Sequence, residues 1–350
     1  VGTTPAGNVN TVKAYRCRVC DNPLYFENSL CVSCGTALGF SRDERSIVPV
    51  DETGRYVDPA GAIWWVCANL NLSGCTWLAP LHGSACFACD LTRTRPADDD
   101  HEGLEQFRLA ERAKRHLVVE LDTLGFPVVA RTTDPQNGLA FDLLSTTDYS
   151  SEDNVVIGHE NGVITIDLAE SDDAYREKVR ARLDEPYRTM LGHFRHEVGH
   201  YYEWQLVRGD ERMARCRELF GDESKDYQAE IQRHYDEGPP AGWEKRYIST
   251  YATMHPFEDF AETWAHYLHI CDTIETAGEH GLTAVAPVTA FSSFADVVSG
   301  IWIPLSIALN MVNRSMGKDD LYPFVIPHPV LDKLDFVASL RTTHGGTSGP

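Results

Sequence analysis

Eight of the ten cysteines lie before residue 90, and their spacing constrains this part of the chain more than any hydrophobic pattern does. Cys17 and Cys20 form one Cys-x2-Cys hook, and ten residues on Cys31 and Cys34 form another. Each hook turns two sulfurs toward one point, and two hooks together complete a tetrahedral shell of four thiolates around zinc. Cys67, Cys75, Cys86 and Cys89 make a second, less regular quartet. Trp64 and Trp65 stand just before it as cover for a module with little apolar core, and His82 is its nearest spare ligand. Four sulfurs leave no position for a substrate, so both ions are expected to be structural and to supply folding energy. A disulfide framework also gives an even count. Cys-x2-Cys pairs favour metal and a reducing compartment instead, which points to the cytoplasm. Cys216 and Cys271 stand alone and read as plain thiols.

A chain of 350 residues with 43% hydrophobic and 24% charged side chains is globular in composition and long enough for two or three domains. Its net charge is −21, and the first hundred residues hold eight basic against eleven acidic side chains. Such a surface repels a phosphate backbone, so no nucleic-acid partner is expected. No apolar run approaches the ~18 to 20 residues of a membrane span. The stretch around Ile301 to Met311 reads as too short, the first residues lack the apolar core of a secretory signal, and no membrane partner is expected.

Composition changes along the chain divide it. Residues 1–14 read as a flexible leader, 15–92 as the double zinc module, 93–103 as a linker, 104–340 as one larger domain and 341–350 as a flexible tail. Leu104, Phe107, Ala110, Ala113, Leu117, Leu121 and Leu124 recur at helical steps, and Gly125 with Pro127 ends that helix. Strand-like pieces follow at 128–131, 139–144 and 155–158. Asn161-Gly162 is then a hairpin signal before the strand GVITIDL. That strand reads equally well as an ordinary internal strand or as an edge able to pair with an extended substrate. Beyond an acidic stretch, AESDDAYREKVRARLDEPYR leads into a mainly helical remainder.

His196-Glu197-Val198-Gly199-His200 is an H-E-x-x-H pattern. On a helix the two histidines share a face and can bind one zinc, with Glu197 beside a metal-bound water as general base. The pattern also arises by chance, and three neighbours weigh against chance here. Gly199 keeps the helix slim where another backbone or the metal approaches, Val198, Tyr201 and Tyr202 face a core, and a carboxylate ligand is at hand downstream. In HPFEDFAETWAHYLHI, residues 255–270, Glu258, Glu262 and His266 fall at steps of four beside Phe257, Phe260, Ala261, Trp264 and Ala265. A two-histidine, one-glutamate site needs one carboxylate from this helix as ligand and another to hold a ligand histidine; Glu258 in front with Glu262 behind fits, and so does the reverse. His193, His255, His266 and His269 read as core or supporting histidines, and Tyr322-Pro323-Phe324 as aromatic packing.

HFRHEVGHYYEW, YATMHPFEDFAETWAHYLHI and SMGKDDLYPF together resemble the zinc-binding metallopeptidases that carry an N-terminal zinc ribbon. The resemblance covers most of the chain. More distantly, the segment from Tyr251 to Glu262 is similar to the active-site segment of the anthrax lethal factor type of gluzincin. That likeness implies Glu258 as the zinc ligand, Glu262 behind it, and Tyr251 steadying the tetrahedral intermediate. The fold class expected is α+β: a zincin-like metallopeptidase domain, a small mixed sheet plus helices, preceded by a small double zinc-ribbon module. The function expected is zinc-dependent hydrolysis of peptide bonds in a protein or peptide substrate, with one catalytic and two structural Zn2+. The ribbon module also offers a surface to a protein partner. The rival readings are a zinc amidase or isopeptidase acting on a protein conjugate, and an inactive zinc-ribbon adaptor; an intact Glu197 argues against the adaptor.

Overall fold

The computed structural model describes residues 14–145, 157–171, 189–284, 288, 291 and 293–341. Most of the leader and tail, residues 155–156 of the third strand-like piece and residues 172–188 before the H-E-x-x-H helix lie outside them. The chain forms two compact units. The first comprises the residues up to Cys89 with Glu275–Val285, and the second comprises Asp90–Ile274 with Ala286–Pro350.

In the first unit each regular hook closes a tight turn. The Asp21 amide donates to the Cys17 carbonyl and the Gly35 amide to the Cys31 carbonyl, both at 2.8 Å. The residue just past each hook has positive φ, 60° at Asp21 and 70° at Gly35, which lets the chain double back. Strands β1 (Leu38–Ser41) and β2 (Ser46–Pro49) pair antiparallel, and β3 (Arg55–Val57), β4 (Ile63–Val66) and β5 (Leu78–Ala79) form an antiparallel sheet in that order. Phe40 makes a small aromatic core, with ring centroids 4.8 Å from Phe26 and 5.0 Å from Trp77. The fully buried indole here is therefore Trp77, whereas Trp64 and Trp65 are half-buried, bound to Asp58 and set edge-on to His82 respectively.

The second unit holds a four-stranded mixed sheet in the order β6 (Thr92–Thr94), β7 (Ala140–Leu144), β9 (Val163–Asp167), β8 (Gly158–Glu160). β6, β7 and β9 run parallel, and β8 returns antiparallel to β9 through Asn161-Gly162, whose φ angles of 49° and 85° suit a tight hairpin. Two sequence expectations change here, and one left open is decided. Residues 93 and 94, assigned to the linker, belong to β6, because main-chain pairing asks little of the side chains; the linker's far end, from His101, is already helix. GVITIDL is internal, and the edge strand beside it is β8. Residues 128–131 contribute only an isolated bridge, Ala130 to Leu139.

Helix α1 (His101–Leu124) starts at Asp100, whose side chain accepts from the Gly103 amide, and ends at Gly125 with φ 82°. Its inner face is more charged than the apolar steps indicate: Glu111, Lys114 and Glu120 are buried, and Lys114 is bonded to Glu111 and to the Thr92 hydroxyl. Helix α2 (Met190–Leu206), capped by the Thr189 side chain, carries H-E-x-x-H. Helices α3 (Asp210–Phe220) and α4 (Tyr227–Glu237) lead to α5 (Pro256–Glu279). Helix α6 (Phe294–Ser315) is 22 residues long and its most apolar 18 residues have mean hydropathy 1.5, enough by length and composition alone to cross a membrane. This corrects the sequence expectation, which followed the unbroken apolar run and not the helix; Ser299 and Gly300 interrupt the run while a π-turn, Val298–Trp302, carries the helix through. Helix α7 (His328–Ser339) completes the described fold.

Helices α2 and α5 meet backbone to backbone. A Cβ built on Gly199 would lie 2.9 Å from Ala261 Cα and 3.2 Å from Trp264 Cβ. One turn before Gly199 on α2, Arg195 is 2% exposed and reaches Glu120 on α1 at 3.0 Å and Asp272 on α5 at 2.6 Å. Gly199→Ala is expected to destabilise the protein by about 1–3 kcal/mol, the usual cost of overpacking, because the atom it meets is main chain and cannot rotate away. Urea unfolding at fixed zinc load measures this, and a change within 0.5 kcal/mol (roughly the scatter of surface substitutions) would show that the two helices separate freely.

Candidate metal centre and its cleft

Tetrahedral zinc with Zn–S bonds near 2.3 Å sets its sulfurs about 3.7–3.8 Å apart. In the first quartet the Sγ atoms of Cys17 and Cys34 are 3.7 Å apart and those of Cys20 and Cys31 3.6 Å. In the second, Cys67 and Cys89 stand at 3.7 Å and Cys75 and Cys86 at 3.5 Å. None of the eight is in a disulfide, their sulfurs lying far beyond the ~2.05 Å of an S–S bond. The donor sets fit zinc. The second quartet is fully buried, whereas Cys20 and Cys34 of the first are exposed. Cys216 and Cys271 are buried and unbridged.

The third donor set is His196, His200 and Glu258. Glu258 Oε2 lies 3.0 Å from His196 Nε2 and 3.6 Å from His200 Nε2. Bonds of about 2.0–2.1 Å around a tetrahedral ion place neighbouring donors roughly 3.3 Å apart, midway between these values. The Nδ1 of His196 is committed elsewhere, to Glu262 Oε1 at 2.8 Å, which fixes the tautomer that leaves Nε2 free as an acceptor. Glu262 Oε2 accepts from the Ser249 hydroxyl at 2.6 Å, so the ring is oriented by a chain of two contacts. Of the two arrangements open from the sequence, the geometry is that of Glu258 in front and Glu262 behind.

Glu258 and Glu197 each have a further neighbour. The Tyr227 hydroxyl, from the first turn of α4, donates to Glu258 Oε1 at 2.5 Å and leaves Oε2 turned to the histidines. His193 Nε2 stands 3.3 Å from Glu197 Oε1, one turn earlier on α2. Burial works against the charge on Glu197, but the His193 contact and the nearby His200 and His196 outweigh it and hold its carboxyl below the ordinary value. The Tyr251 ring sits 5.7 Å from that of His196 on a 3-10 turn, Tyr251–Thr253, and lines the cleft.

His255, His266 and His269 make local contacts away from the donor set. His255 accepts from the Phe257 amide (3.2 Å) and contacts the Lys225 carbonyl (3.2 Å), capping α5. His266 bonds the buried Tyr322 hydroxyl at 2.8 Å, with burial pushing its pKa down to about 4. His269 stacks on Tyr322 and is likewise lowered, chiefly by burial, to about 3. Tyr322 thus packs against these rings.

The cleft holds about 850 Å³ and is lined by residues of β8, α2, α3, α4 and the start of α5. Sequence reasoning missed Tyr227, Ser249 and Glu203 in or beside it. No motif spacing signals the first two. Glu203, at H-E-x-x-H-x-x-E, was visible as one more acid on the histidine face. Its carboxyl is pushed well up by burial, then by Glu223, Glu258 and Asp259.

Residues 103–340 match the family model described as "Putative zinc-binding metallo-peptidase", and residues 14–100 match a zinc-ribbon domain model. The chain is 48% identical over 334 residues to uncharacterized protein Rv2568c of Mycobacterium tuberculosis and to uncharacterized protein Mb2598c of Mycobacterium bovis. Each match covers 93% of this chain and 94% of the relative. No solved structure matches. With a donor set suited to zinc at the centre of the matched region, the chain belongs to the zinc-binding metallo-peptidase family and joins that peptidase domain to a zinc-ribbon domain.

Proposed function

We propose that this chain hydrolyses peptide bonds in a protein or extended peptide, with one catalytic zinc at His196, His200 and Glu258 and two structural zincs in the cysteine quartets. The observation that carries this reading is the convergence of three donors in an open cleft with a carboxylate, Glu197, beside them. Zinc in that position supplies a Lewis acid that activates water near neutral pH and polarises a carbonyl. Glu197 takes the proton from the attacking water and hands it to the leaving amine, and His193 holds its carboxylate in place. Glu262 and Ser249 keep His196 in the metal-binding orientation. Tyr251, with its ring beside His196, donates a hydrogen bond to the former carbonyl oxygen as charge gathers there.

The sheet supports an extended substrate. β8 borders the cleft through Gly158 and His159, and among the described residues it is an edge strand with one side unpaired. A peptide laid along it gains main-chain hydrogen bonds regardless of its sequence, which leaves selectivity to side-chain pockets. The proton-transfer reading also depends on neutral histidines nearby. His159 meets this, since burial lowers its pKa to about 4.

Elemental analysis of the purified protein is expected to find three zinc ions, one for each of the three donor sets. Glu258→Ala should lose one and Glu262→Ala should keep all three; the opposite pattern would exchange their roles. Glu197→Gln should retain full zinc and fold, while peptide hydrolysis falls by about 10²–10⁴-fold, the range for a lost general base. Undiminished hydrolysis would remove Glu197 from the chemistry. Tyr251→Phe keeps ring and zinc and is expected to lose roughly 100- to 1000-fold in kcat with little change in substrate affinity. An unaltered kcat would make Tyr251 a packing residue.

A further inference from the structure

The cleft contains four carboxylates, and three are engaged. Glu258 belongs to the donor set and accepts from Tyr227, Glu197 is met by His193, and Glu223 is held by Arg217 through paired contacts of 2.9 and 3.2 Å. Glu203 differs. It sits one turn beyond His200, is 8% exposed and faces the cleft, and among the described residues no hydrogen bond or ion pair reaches its carboxylate. The arginine that lines the same cleft, Arg208, is directed elsewhere: its guanidinium donates to the Trp204 carbonyl at 3.1 Å and to Gln205 Oε1 at 3.2 Å. Glu223, Glu258 and Asp259 add to the negative potential around Glu203.

A carboxylate so buried is unfavourable without a cation. Trp204 and Val207, next to it and one turn on in α2, line the same cleft, as do Met213 and Phe257, so the cleft offers apolar surface and an aromatic face. That combination suits a lysine or arginine side chain, whose aliphatic stem packs on apolar surface while the charged end seeks an anion or a ring. We propose that Glu203 forms the base of a side-chain subsite beside the metal centre, and that it selects substrates carrying a lysine or arginine near the scissile bond. The proposal rests on the peptidase reading for its biological meaning. The chain's net charge of −21 works in the same direction by drawing in basic polypeptides.

The test measures binding without turnover. Zinc-loaded protein carrying Glu197→Gln is titrated calorimetrically with peptides of one sequence in which arginine or norleucine is placed at each position in turn. At one position the arginine peptide is expected to bind about tenfold tighter or more, the scale of a hydrogen-bonded charge. Adding Glu203→Gln should abolish that gap and leave the norleucine peptide's affinity unchanged, while Glu203→Asp should preserve the preference in weakened form. No arginine preference at any position, or a preference that survives Glu203→Gln, overturns the proposal. A loss of norleucine-peptide binding in both variants also overturns it, because Glu203 is then structural. Absence of cleavage by the unaltered protein would sink the peptidase reading alone, and cleavage with no basic preference would sink the subsite alone.

Discussion

The metal centre depends on how closely two helices approach. Helix packing ordinarily separates axes by about 8–10 Å, with side chains filling the seam. At Gly199 there is no side chain, and Ala261 Cα and Trp264 Cβ occupy the space a Cβ would take. One turn of each helix away, Glu258 can therefore reach the two histidines of its neighbour. Aromatic rings close the other end of the seam. Tyr202 and Trp264 stack at 4.7 Å, and Phe126 packs on both. The site is a consequence of this contact, since neither helix alone holds three donors.

Buried charges next to the donor residues fix the rotation of the same helices. Arg195 precedes His196 and is bound to Glu120 and Asp272; Asp259 follows Glu258 and is bound to Lys333. Burial pushes the Asp259 carboxyl up to about 7 even with Lys333 beside it, which shows how dry that position is. Buried ion pairs contribute little net stability compared with apolar replacements, and their better use is to specify geometry. Each pair anchors the residue next to a metal donor, so a rotation of either helix would break a buried ion pair before it moved a ligand.

The ribbon unit solves a different problem with different means. Its apolar core is small, centred on Phe26, Phe40 and Trp77, and two thiolate quartets take over work that a larger domain does by burial. The two quartets differ in exposure, and the difference has a chemical consequence. Buried Cys67, Cys75, Cys86 and Cys89 are shielded, while Cys20 and Cys34 face solvent, where oxidants and competing chelators arrive first.

Local chemistry made much of this readable in the sequence. Hook spacing in the first quartet, the four-residue step between His196 and His200, the Asn161-Gly162 hairpin and the Gly125 helix end all act within a few residues, so backbone geometry alone determines them. Gly199 was legible too, because a glycine inside a helix needs a reason. Spacing alone left the order of Glu258 and Glu262 open, with only the resemblance favouring Glu258 in front, since both lie on one face and the position of α2 decides which one meets the His196 Nε2 and which its Nδ1. Tyr227 and Ser249 carry no sequence signal because their partners lie 31 and 13 residues away along the chain and meet them only in the folded structure. The edge of the sheet stayed open for the same reason: strand order is set by which strands bury their faces together, and period-two alternation in β9 looks alike at an edge and in the middle. What depends on one element's own backbone was therefore written in the sequence, and what depends on the distance between two elements was decided by tertiary packing, because that distance is set by side chains far apart in the chain.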